Sequence, residues 1–514
     1  MASKITTGKV YSSFADGPEG RNAIIEISLS SGLPSFDIIG MCDASIRESR
    51  GRIMTAIRQA GFSIPKGHIT VSITPSFIKK SGSGFDLPIA VGMLLVSGQI
   101  PGLSSLRIFA SGELSLKGEV LATPGAVMRA RTIVNNNFDV CFAPRGERDS
   151  YACCGAGAVF VDDLREVCGL INSYKFNPLI PTLPDPGETS YEGMDFSVLK
   201  GQEKASRAIL LAAAGWHNTL LIGSPGSGKT TAARIIKGLM PDLEAREACE
   251  CFALRNALGL DTEFTARSYL RPFRTVTPGI GTSALLGSAS KQLPGEISLA
   301  DHGVLFMDEL CEFSAKMIDA LRLPMEDRNI VLKYSGRAVT FPSDFLFVGA
   351  TNPCRCGLVL EKPTKCTCSK SVREGYLNKL SGPFLDRIDL FTEMYSVDAA
   401  GLKDSVSSQD IKKSKELREL VSNCWEIQRE RYKDTEMPNA LNGCFDSENL
   451  SEILRADSKV VEKAAVAASV GGYSVRSFKR LIKVGRTIAD LEGRKDIKES
   501  DIGEAMSFRF RRVT

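Results

Sequence analysis

The feature that most constrains this chain of 514 residues is a glycine-rich loop between a short apolar strand and a helix. The apolar run Thr219–Ile222 leads directly into GSPGSGKT at Gly223–Thr230, and the helical pattern TAARIIKGL follows. This order matches the phosphate loop G-x-x-x-x-G-K-[ST] in the strand–loop–helix context in which that loop binds nucleotides. Its glycines allow backbone N–H groups to surround phosphates at a helix N-terminus. The loop therefore predicts a nucleotide-binding α/β domain.

The side chains of the loop predict its ligands. Lys229 would reach the β- and γ-phosphates of ATP, and Thr230 would hold Mg²⁺. We assign the remaining ATP contacts of the loop to Gly223, Ser224, Pro225, Gly226, Ser227, Gly228 and Thr231. A chance glycine-rich turn is the alternative interpretation, and the flanking strand and helix disfavour it.

Two further apolar strands end in polar residues. The run GVLFM at 303–307 precedes Asp308 and Glu309. Asp308 would bind Mg²⁺ through water, and Glu309 would polarise the attacking water. The run FLFVGAT at 345–351 precedes Asn352, which could orient that water. Acidic pairs at strand ends are often only solvated and Asn before Pro is often a turn residue, but the upstream phosphate loop favours the catalytic interpretation.

Composition narrows the class of protein without identifying its partner. The net charge of +4 is small, so any affinity for nucleic acid must come from local patches. The N-terminus has no signal-peptide pattern, and no run approaches the about 20 apolar residues of a membrane helix. We predict a cytoplasmic protein with no membrane segment, in which the 14 cysteines are reduced thiols or metal ligands.

Four segments of the chain differ in pattern. Residues 1–175 alternate β-rich and short helical runs, and the proline-rich stretch 176–196 predicts a linker. Residues 197–396 have the strand–loop–helix pattern of a buried parallel sheet, and residues 397–514 are mostly helical. Within the first segment the pattern predicts strands at Ile24–Leu29, His68–Ile73 and Val140–Pro144 and helices at Ile46–Ala60 and Leu87–Gly98.

Four cysteines form two closely spaced pairs. Cys354 and Cys356 are separated by nine residues from Cys366 and Cys368. Two such pairs can supply four thiolates to a tetrahedral Zn²⁺. Because Cys-x-Cys is less diagnostic than Cys-x-x-Cys, the sequence leaves two interpretations open: a structural zinc site, or reduced thiols in a surface loop.

Longer strings along almost the whole chain carry a family resemblance. They include GLPSFDIIG, PGEISLADHGVLFMDEL, NPCRCG, SGPFLDRID and SVRSFKRLIKVGRTIADLEG. In these strings the chain resembles the YifB/ComM family of magnesium-chelatase-like AAA+ ATPases. The resemblance implies an α/β fold class with three parts. They are an N-terminal Lon-protease-like α+β domain of the ribosomal S5 domain 2-like type, an AAA+ P-loop α/β core and a C-terminal helical lid.

The resemblance also implies site residues. Gln202 would contact ATP beside the loop, and Arg387 of SGPFLDRID would be an arginine finger that enters the neighbouring subunit's site. Arg476 would be the sensor-2 arginine of the lid, which contacts the γ-phosphate. A finger needs a partner subunit, and the family implies a homo-hexameric ring. The alternatives are an ion pair of Arg387 with Asp386 or Asp389 and a solvated Arg476.

The segment Asn329–Phe341 predicts a β-hairpin around a Tyr-Ser-Gly turn. In related ring ATPases that act on DNA, a hairpin at this place points into the central pore. Lys333 and Arg337 flank the tip and would contact DNA phosphates, with two ordinary surface charges as the alternative. The chain departs from the family pattern after the RPFR string that ends at Arg274, because no His-His pair follows.

The N-terminal domain lacks the residues of a Lon-like protease, which uses a Ser-Lys dyad. Asp86 stands where the serine would be, and Val127 stands where the lysine would be. A carboxylate and an isopropyl group cannot form a nucleophile–base pair, so we predict an inactive domain. Ser81 and Ser83 lie close by, which leaves a shifted nucleophile as the alternative.

The resemblance implies an ATP-hydrolysing ring motor with ATP and Mg²⁺ as cofactors. Its substrate would be single-stranded or branched DNA. It would act as a branch-migration helicase or translocase that aids recombination of incoming DNA in natural transformation. DNA as the substrate rests on family analogy. The alternative is a chelatase-like or chaperone-like motor that remodels a protein partner.

Overall fold

The computed structural model describes residues 5–78, 80, 82–101, 106–187, 196–199, 201–334, 337–361, 365–395, 408–470 and 474–509. Side chains are described for these residues except 197, 198, 337, 408–413 and 470. Within these ranges, no helix is both long and apolar enough to cross a membrane.

A mixed β-sheet forms the centre of the N-terminal part. Its strands are β1 (Thr6–Asp16), β2 (Glu19–Ser30), β3 (Ser35–Ile39), β4 (His68–Thr74), β5 (Ile108–Ala110), β8 (Val140–Pro144) and β9 (Val159–Val161), while β6 (Glu113–Leu114) and β7 (Val120–Leu121) form a separate ribbon. The strand order in the described residues is β3-β4-β2-β1-β5-β8-β9. Strands β1 and β2 pair as an antiparallel hairpin, whereas β5, β8 and β9 pair in parallel. The strands predicted in this part are confirmed.

The helices of the N-terminal part cover this sheet. They are α1 (Ala44–Gln59), α2 (Asp86–Val96), α3 (Ala126–Val134), α4 (Arg148–Ala152) and α5 (Leu164–Ser173), with a 3-10 turn at Arg145–Glu147. Both predicted helices are confirmed. The first begins two residues before its predicted start, because the Asp43 side chain accepts the N–H of Ile46 and caps the helix there.

A parallel α/β core follows. Its strands are β10 (Thr219–Gly223), β11 (Phe273–Val276), β14 (Val304–Met307), β17 (Leu346–Thr351) and β18 (Leu390–Met394), and two ribbons are β12 (Gly287–Ser288) with β13 (Leu293–Pro294) and β15 (Asn329–Tyr334) with β16 (Arg337–Pro342). Its helices are α6 (Glu203–Gly215), α7 (Lys229–Leu239), α8 (Ala245–Ala257), α9 (Thr282–Leu286), α10 (Glu296–Leu299), α11 (Ala315–Ala320), α12 (Pro324–Asp327), α13 (Lys370–Leu377) and α14 (Gly382–Leu385). Short 3-10 turns lie at Phe196–Leu199, Ala266–Tyr269 and Leu310–Glu312.

The direction of the core strands decides where functional groups lie. The described strands have the order β11-β14-β17-β10-β18, and every neighbouring pair is parallel. Strands β10, β14 and β17 are buried throughout, as expected for a parallel sheet covered on both faces. The sheet therefore has one edge where all strands begin, called here the amino edge, and one where all end, the carboxyl edge.

The C-terminal part is helical and attaches at the amino edge. Its helices are α15 (Ser408–Tyr432), α16 (Leu450–Ile453), α17 (Ser458–Val470), α18 (Val475–Leu491) and α19 (Glu499–Ser507). The side chain of Asp389, just before β18, is buried, accepts the N–H of Asn218 at 3.0 Å and forms an ion pair with Arg480 of α18. The indole N–H of Trp425 donates to the carbonyl of Ala213 at 2.9 Å. These bonds join α15 and α18 to the ends of α6 and the sheet.

The N-terminal part and the core share an interface. The backbone N–H of Gly125 donates to the carbonyl of Asn256 at 3.1 Å, and apolar residues of α3 and α8 share one buried cluster. The first residues of the predicted linker 176–196 are held as well, because Leu179 exchanges two backbone hydrogen bonds with Ala158. Residues 188–195 of that linker lie outside the described residues.

Candidate functional site

The predicted phosphate loop joins the carboxyl end of β10 to α7. Gly226 and Gly228 have φ angles of 79° and 85°, in the left-handed region that favours glycine. Lys229 is the first residue of α7, and its ammonium group donates to the carbonyls of Gly223 and Ser224 at 2.8 and 2.9 Å. The loop thus curves around the lysine, with its backbone close to the N-terminus of the helix.

Polar side chains of this loop fit an oxygen-rich anion. The hydroxyls of Ser224 and Ser227 are buried and make no hydrogen bond within the described residues. A buried polar group without a partner costs about 1–3 kcal/mol, so a ligand that accepts hydrogen bonds would stabilise both. Gln202 donates to the carbonyl of Ser227 at 3.2 Å, which places it against the loop. Phosphate oxygens suit this environment.

Two oxygen ligands for a hard cation meet beside the loop. The hydroxyl of Thr230 lies 3.2 Å from one carboxylate oxygen of Asp308, which follows β14. The other oxygen of Asp308 accepts the backbone N–H of Glu309 at 2.9 Å. Hydroxyl and carboxylate oxygens are ligands that Mg²⁺ prefers. Thr230 and Asp308 are therefore the residues that could hold Mg²⁺ when ATP is bound.

Glu309 and Asn352 lie at the same edge. Glu309 is exposed and has a φ of 51°, a left-handed conformation that costs about 1 kcal/mol or more for a non-glycine residue. Asn352 follows β17, and its side-chain amide oxygen accepts a hydrogen bond from the ammonium of Lys229 at 3.3 Å. Burial lowers the pKa of Lys229, and the charges of Asp308 and Glu309 partly oppose that shift. The carboxyl edge thus brings the predicted Lys229, Asp308, Glu309 and Asn352 into one region.

The two predicted arginines lie elsewhere and meet on one carboxylate. Arg387 is buried, donates to the carbonyl of Pro383 at 2.7 Å and forms an ion pair with Glu326. Arg476 donates to the other oxygen of Glu326 at 2.8 Å and is half-exposed. The partner of Arg387 is therefore Glu326, whereas the alternative interpretation had named Asp386 or Asp389.

Neither arginine is placed to reach the phosphate loop of its own chain. Arg387 precedes β18, at the amino edge, and the loop follows β10, at the carboxyl edge. Strand β10 separates the two edges by about 13 Å at about 3.3 Å per residue. The structure brings Arg387 and Arg476 together with each other and separates both from Lys229.

The four predicted cysteines form a compact group. The sulfurs of Cys354, Cys356 and Cys366 are 3.4, 3.5 and 3.7 Å apart, and the Cys368 sulfur lies within 4.8 Å of the others. Four thiolates around one Zn²⁺ at about 2.3 Å are about 3.8 Å apart, so the spacing fits a tetrahedral zinc site. A backbone N–H of Leu358 and the neighbouring thiols lower the pKa of Cys356 to about 6, which favours the thiolate. Residues 362–364, between the pairs, lie outside the described residues.

The cysteine group lies against the phosphate loop. Gly357 has a φ of 78°, and a methyl group on it would come within 2.6 Å of the Pro225 ring. The left-handed φ and the steric clash with Pro225 both disfavour any residue other than glycine at this position. Since Cys354 is only two residues after Asn352, the group is joined to the nucleotide site through the chain and through this contact.

The predicted hairpin is confirmed as β15 and β16. Its register runs from the pair Asn329 and Pro342 at the base to the pair Tyr334 and Arg337 near the tip. Ile330 is buried at the base, whereas Lys333 is exposed. The structure does not describe residues 335 and 336 or the side chain of Arg337. Of the two predicted DNA contacts, it therefore places the side chain of Lys333 alone.

The N-terminal residues tested for protease chemistry have structural partners. Asp86 forms an ion pair with Arg52 at 2.8 Å, and burial raises the pKa of Asp86 to about 6 although Arg52 lowers it. Val127 is buried in the cluster shared with α8. The hydroxyl of Ser83 donates to Glu113, and Ser81 lies outside the described residues.

Comparison with known proteins gives the family. Three family models match successive segments: "Subunit ChlI of Mg-chelatase" at 25–147, "Magnesium chelatase, subunit ChlI" at 195–402 and "Magnesium chelatase, subunit ChlI C-terminal" at 411–509. Competence protein ComM of Haemophilus influenzae is 32% identical over 503 residues, which cover 97% of each chain. The chain belongs to the YifB/ComM family of magnesium-chelatase-like AAA+ ATPases.

Other relatives agree with this membership. The uncharacterized protein YifB of Escherichia coli is 32% identical over 500 residues, covering 97% of this chain and 96% of YifB. The Magnesium-chelatase 38 kDa subunit of Rhodobacter capsulatus is 23% identical over 337 residues, covering 62% of this chain and 88% of that subunit. The YifB/ComM relatives thus match all three parts of the chain.

This family member also has a charged cluster that the sequence analysis missed. The imidazole of His302 lies 2.8 Å from Glu250 and 3.5 Å from Asp301, at the amino edge before β14. Burial lowers the pKa of His302, but the bond to Glu250 and the charges of Asp301 and Glu247 outweigh it and raise the pKa to about 9. The cluster is therefore an ion-pair network that joins α8 to the sheet.

We expect His302→Gln to lower the free energy of unfolding by about 2 kcal/mol at pH 6.5 and by much less at pH 9.5. The pKa of His302 is higher in the folded chain, about 9, than its ordinary value of 6.5. The stabilisation is therefore complete below about pH 6.5 and lost as the pH rises through about 9. Thermal unfolding of wild type and His302→Gln at several pH values measures this loss of unfolding free energy, with His68→Gln in the N-terminal sheet as the control. An equal loss at both pH values would contradict the network.

Proposed function

We propose that this chain is the protomer of an ATP-hydrolysing ring that moves on DNA. One observation carries the ring: the phosphate loop lies at the carboxyl edge of the core sheet, and Arg387 and Arg476 lie at the amino edge. Each chain thus presents two complementary halves of a site on opposite edges. Head-to-tail association would complete the site at each interface, and such an interface forms a ring when the rotation between successive subunits closes. A homo-hexamer follows from the family resemblance.

Each side chain then has a role in hydrolysis. Lys229 binds the β- and γ-phosphates, and Thr230 and Asp308 hold Mg²⁺, which neutralises phosphate charge when bound. Glu309 polarises the attacking water. Asn352, within reach of Lys229, orients that water.

The neighbouring subunit supplies the remaining charge. Its Arg387 and Arg476 would donate to the transferred phosphoryl group as negative charge develops there. Because a guanidinium has five donors in a planar fork, two such groups can contact several phosphate oxygens at once. Hydrolysis therefore depends on assembly.

Two observations support DNA as the proposed substrate. The exposed Lys333 on the hairpin, repeated around a ring, would line a pore with positive charge suited to phosphates, and Arg337 is its predicted companion. One full-length relative is named Competence protein ComM. We therefore propose a cytoplasmic branch-migration helicase or translocase that acts on single-stranded or branched DNA during transformation.

A second candidate is a chelatase-like motor that remodels a protein partner. The family models and the 23% identical relative carry the name magnesium chelatase, which favours this alternative. Both candidates share the nucleotide site and the ring. They differ in what stimulates hydrolysis.

We expect single-stranded or forked DNA to raise the ATPase rate severalfold. Lys333→Ala/Arg337→Ala should weaken DNA binding and flatten its salt dependence, because each lost phosphate contact lowers the slope by about one. The control is Arg246→Ala/Lys370→Ala, which removes two charges that are 83% and 82% exposed. ATPase assays and DNA titrations at several salt concentrations measure both effects. Stimulation by a protein alone would favour the second candidate.

We expect Arg387→Ala to reduce hydrolysis by about 10³-fold while ATP still binds. Lys229→Ala should lose ATP binding. A 1:1 mixture should recover activity, because roughly a quarter of the interfaces combine an intact loop with an intact arginine. Adding Lys229→Ala/Arg387→Ala to Arg387→Ala is the matched control and should recover nothing. No recovery in the first mixture would mean that Arg387 does not act across subunits.

We propose a structural Zn²⁺ on Cys354, Cys356, Cys366 and Cys368, because the sulfur spacing fits four thiolates on one ion. Metal analysis of the purified protein should find about one zinc per chain. Cys366→Ser/Cys368→Ser should remove it and reduce ATPase activity, since Gly357, next to Cys356, lies close to Pro225 of the phosphate loop. Cys444→Ala, outside the group, should keep the metal. Zinc-free protein with four reactive thiols would support the surface-loop interpretation.

A further inference from the structure

Glu326 lies in the short helix α12 and connects the α/β core to the helical C-terminal part. Its two carboxylate oxygens bind different guanidinium groups, those of Arg387 and Arg476. Arg387 comes from the segment before β18, whereas Arg476 comes from α18 of the helical part. One carboxylate thus sets the distance between the two arginines that the proposed function assigns to the neighbour's phosphate.

Both guanidinium groups have N–H donors without a hydrogen-bond partner among the described residues. The Nε–H of Arg387 is buried and has no hydrogen-bond partner in the part of the chain that is described. Arg476 is 54% exposed, and its only described hydrogen bond is the one to Glu326. A carboxylate that holds one edge of a guanidinium fixes its plane and leaves the remaining donors for a second anion. Arg476 offers such donors at the surface, whereas the Nε–H of Arg387 is buried and would reach a neighbour's phosphate only after the Arg387 side chain moves.

Glu326 is also joined to the base of the hairpin. Strand β15 begins at Asn329, three residues after Glu326. Arg328, between them, has a φ of 52°, and its carbonyl accepts the N–H of Ser343, which directly follows β16. Both strands of the hairpin are thus fixed to the end of α12. A displacement of the hairpin by a bound polymer would shift Glu326 and, with it, both arginines.

We infer that Glu326 is a positioning residue: it aligns Arg387 and Arg476 for the neighbouring subunit's phosphate and links them to the hairpin. This inference rests on the proposed function. Glu326 touches neither its own phosphate loop nor, by this inference, the transferred phosphate. Its loss should therefore affect the rate of hydrolysis rather than ATP binding.

Glu326→Gln tests the inference because it keeps the shape of the side chain and removes the charge. We expect the DNA-stimulated kcat to fall about tenfold, with the KM for ATP and the Kd for DNA unchanged. Glu326→Asp, which keeps a carboxylate, should recover part of the rate. The matched control is Asp327→Asn, since neither guanidinium bonds to Asp327 among the described residues, and it should behave as the wild type.

A double-mutant cycle separates positioning from a general structural effect. Adding Glu326→Gln to Arg476→Ala should cost clearly less than the same change in the wild type, because one of its two partners is already absent. Equal costs would overturn the inference, as would a Glu326→Gln enzyme that matches Asp327→Asn. A rise of the DNA-free rate in Glu326→Gln would also overturn it, since the contact would then restrain the arginines.

The same experiments distinguish failure of the proposed function from failure of the inference about Glu326. If DNA does not change the wild-type rate, or if Arg387→Ala hydrolyses ATP normally, the DNA-driven ring itself is overturned, and this inference falls with it. If the wild type is stimulated and Arg387→Ala is inactive, an unaffected Glu326→Gln overturns the inference about Glu326 alone.

Discussion

The strands of the core sheet all run in one direction within the described residues, and the placement of the functional groups depends on that direction. Residues that follow strands gather at one edge, and residues that precede strands gather at the other. Lys229, Asp308 and Asn352 belong to the first group, whereas Arg387 belongs to the second. Because a strand of this length is about 13 Å long, Arg387 at the start of β18 lies far from Lys229 of its own chain. The separation follows from the parallel arrangement of the strands and makes association the simplest way to complete the site.

The helical part brings a second predicted arginine to the amino edge. Its attachment to the sheet lies at the amino edge, where buried Asp389 binds both Asn218 and Arg480. Helix α18 therefore carries Arg476 to the same place as Arg387, and Glu326 joins the two. Three segments far apart in sequence meet there, and one of them leads directly into the hairpin of β15 and β16. The hairpin that we propose to bind DNA and the arginines that would act on the neighbouring subunit are thus both attached to α12.

Much of the nucleotide site could be predicted because its signals are local. The strand before the phosphate loop, the strands before Asp308 and Asn352, and the hairpin after α12 are where the sequence patterns predicted them. Each is a short apolar or alternating run bounded by residues with special backbone or polar properties. Glu326 and the cluster of His302 with Glu250 were not predicted. Both depend on contacts between residues more than 50 positions apart, for which a single sequence carries no pattern.

The sequence by itself determined the phosphate loop, the polar residues that follow the apolar strands, and the spacing of the four cysteines. These features are set by neighbours along the chain, through glycine conformations, hydrophobic periodicity and ligand chemistry. Only the tertiary structure decided which of these groups meet. It directed Arg387 to Glu326 instead of to Asp386 or Asp389, and it brought the four cysteine sulfurs together while placing Gly357 close to Pro225. The physical reason is that strand order and direction, which fix distances across the sheet, are properties of the whole packed core and not of any one segment.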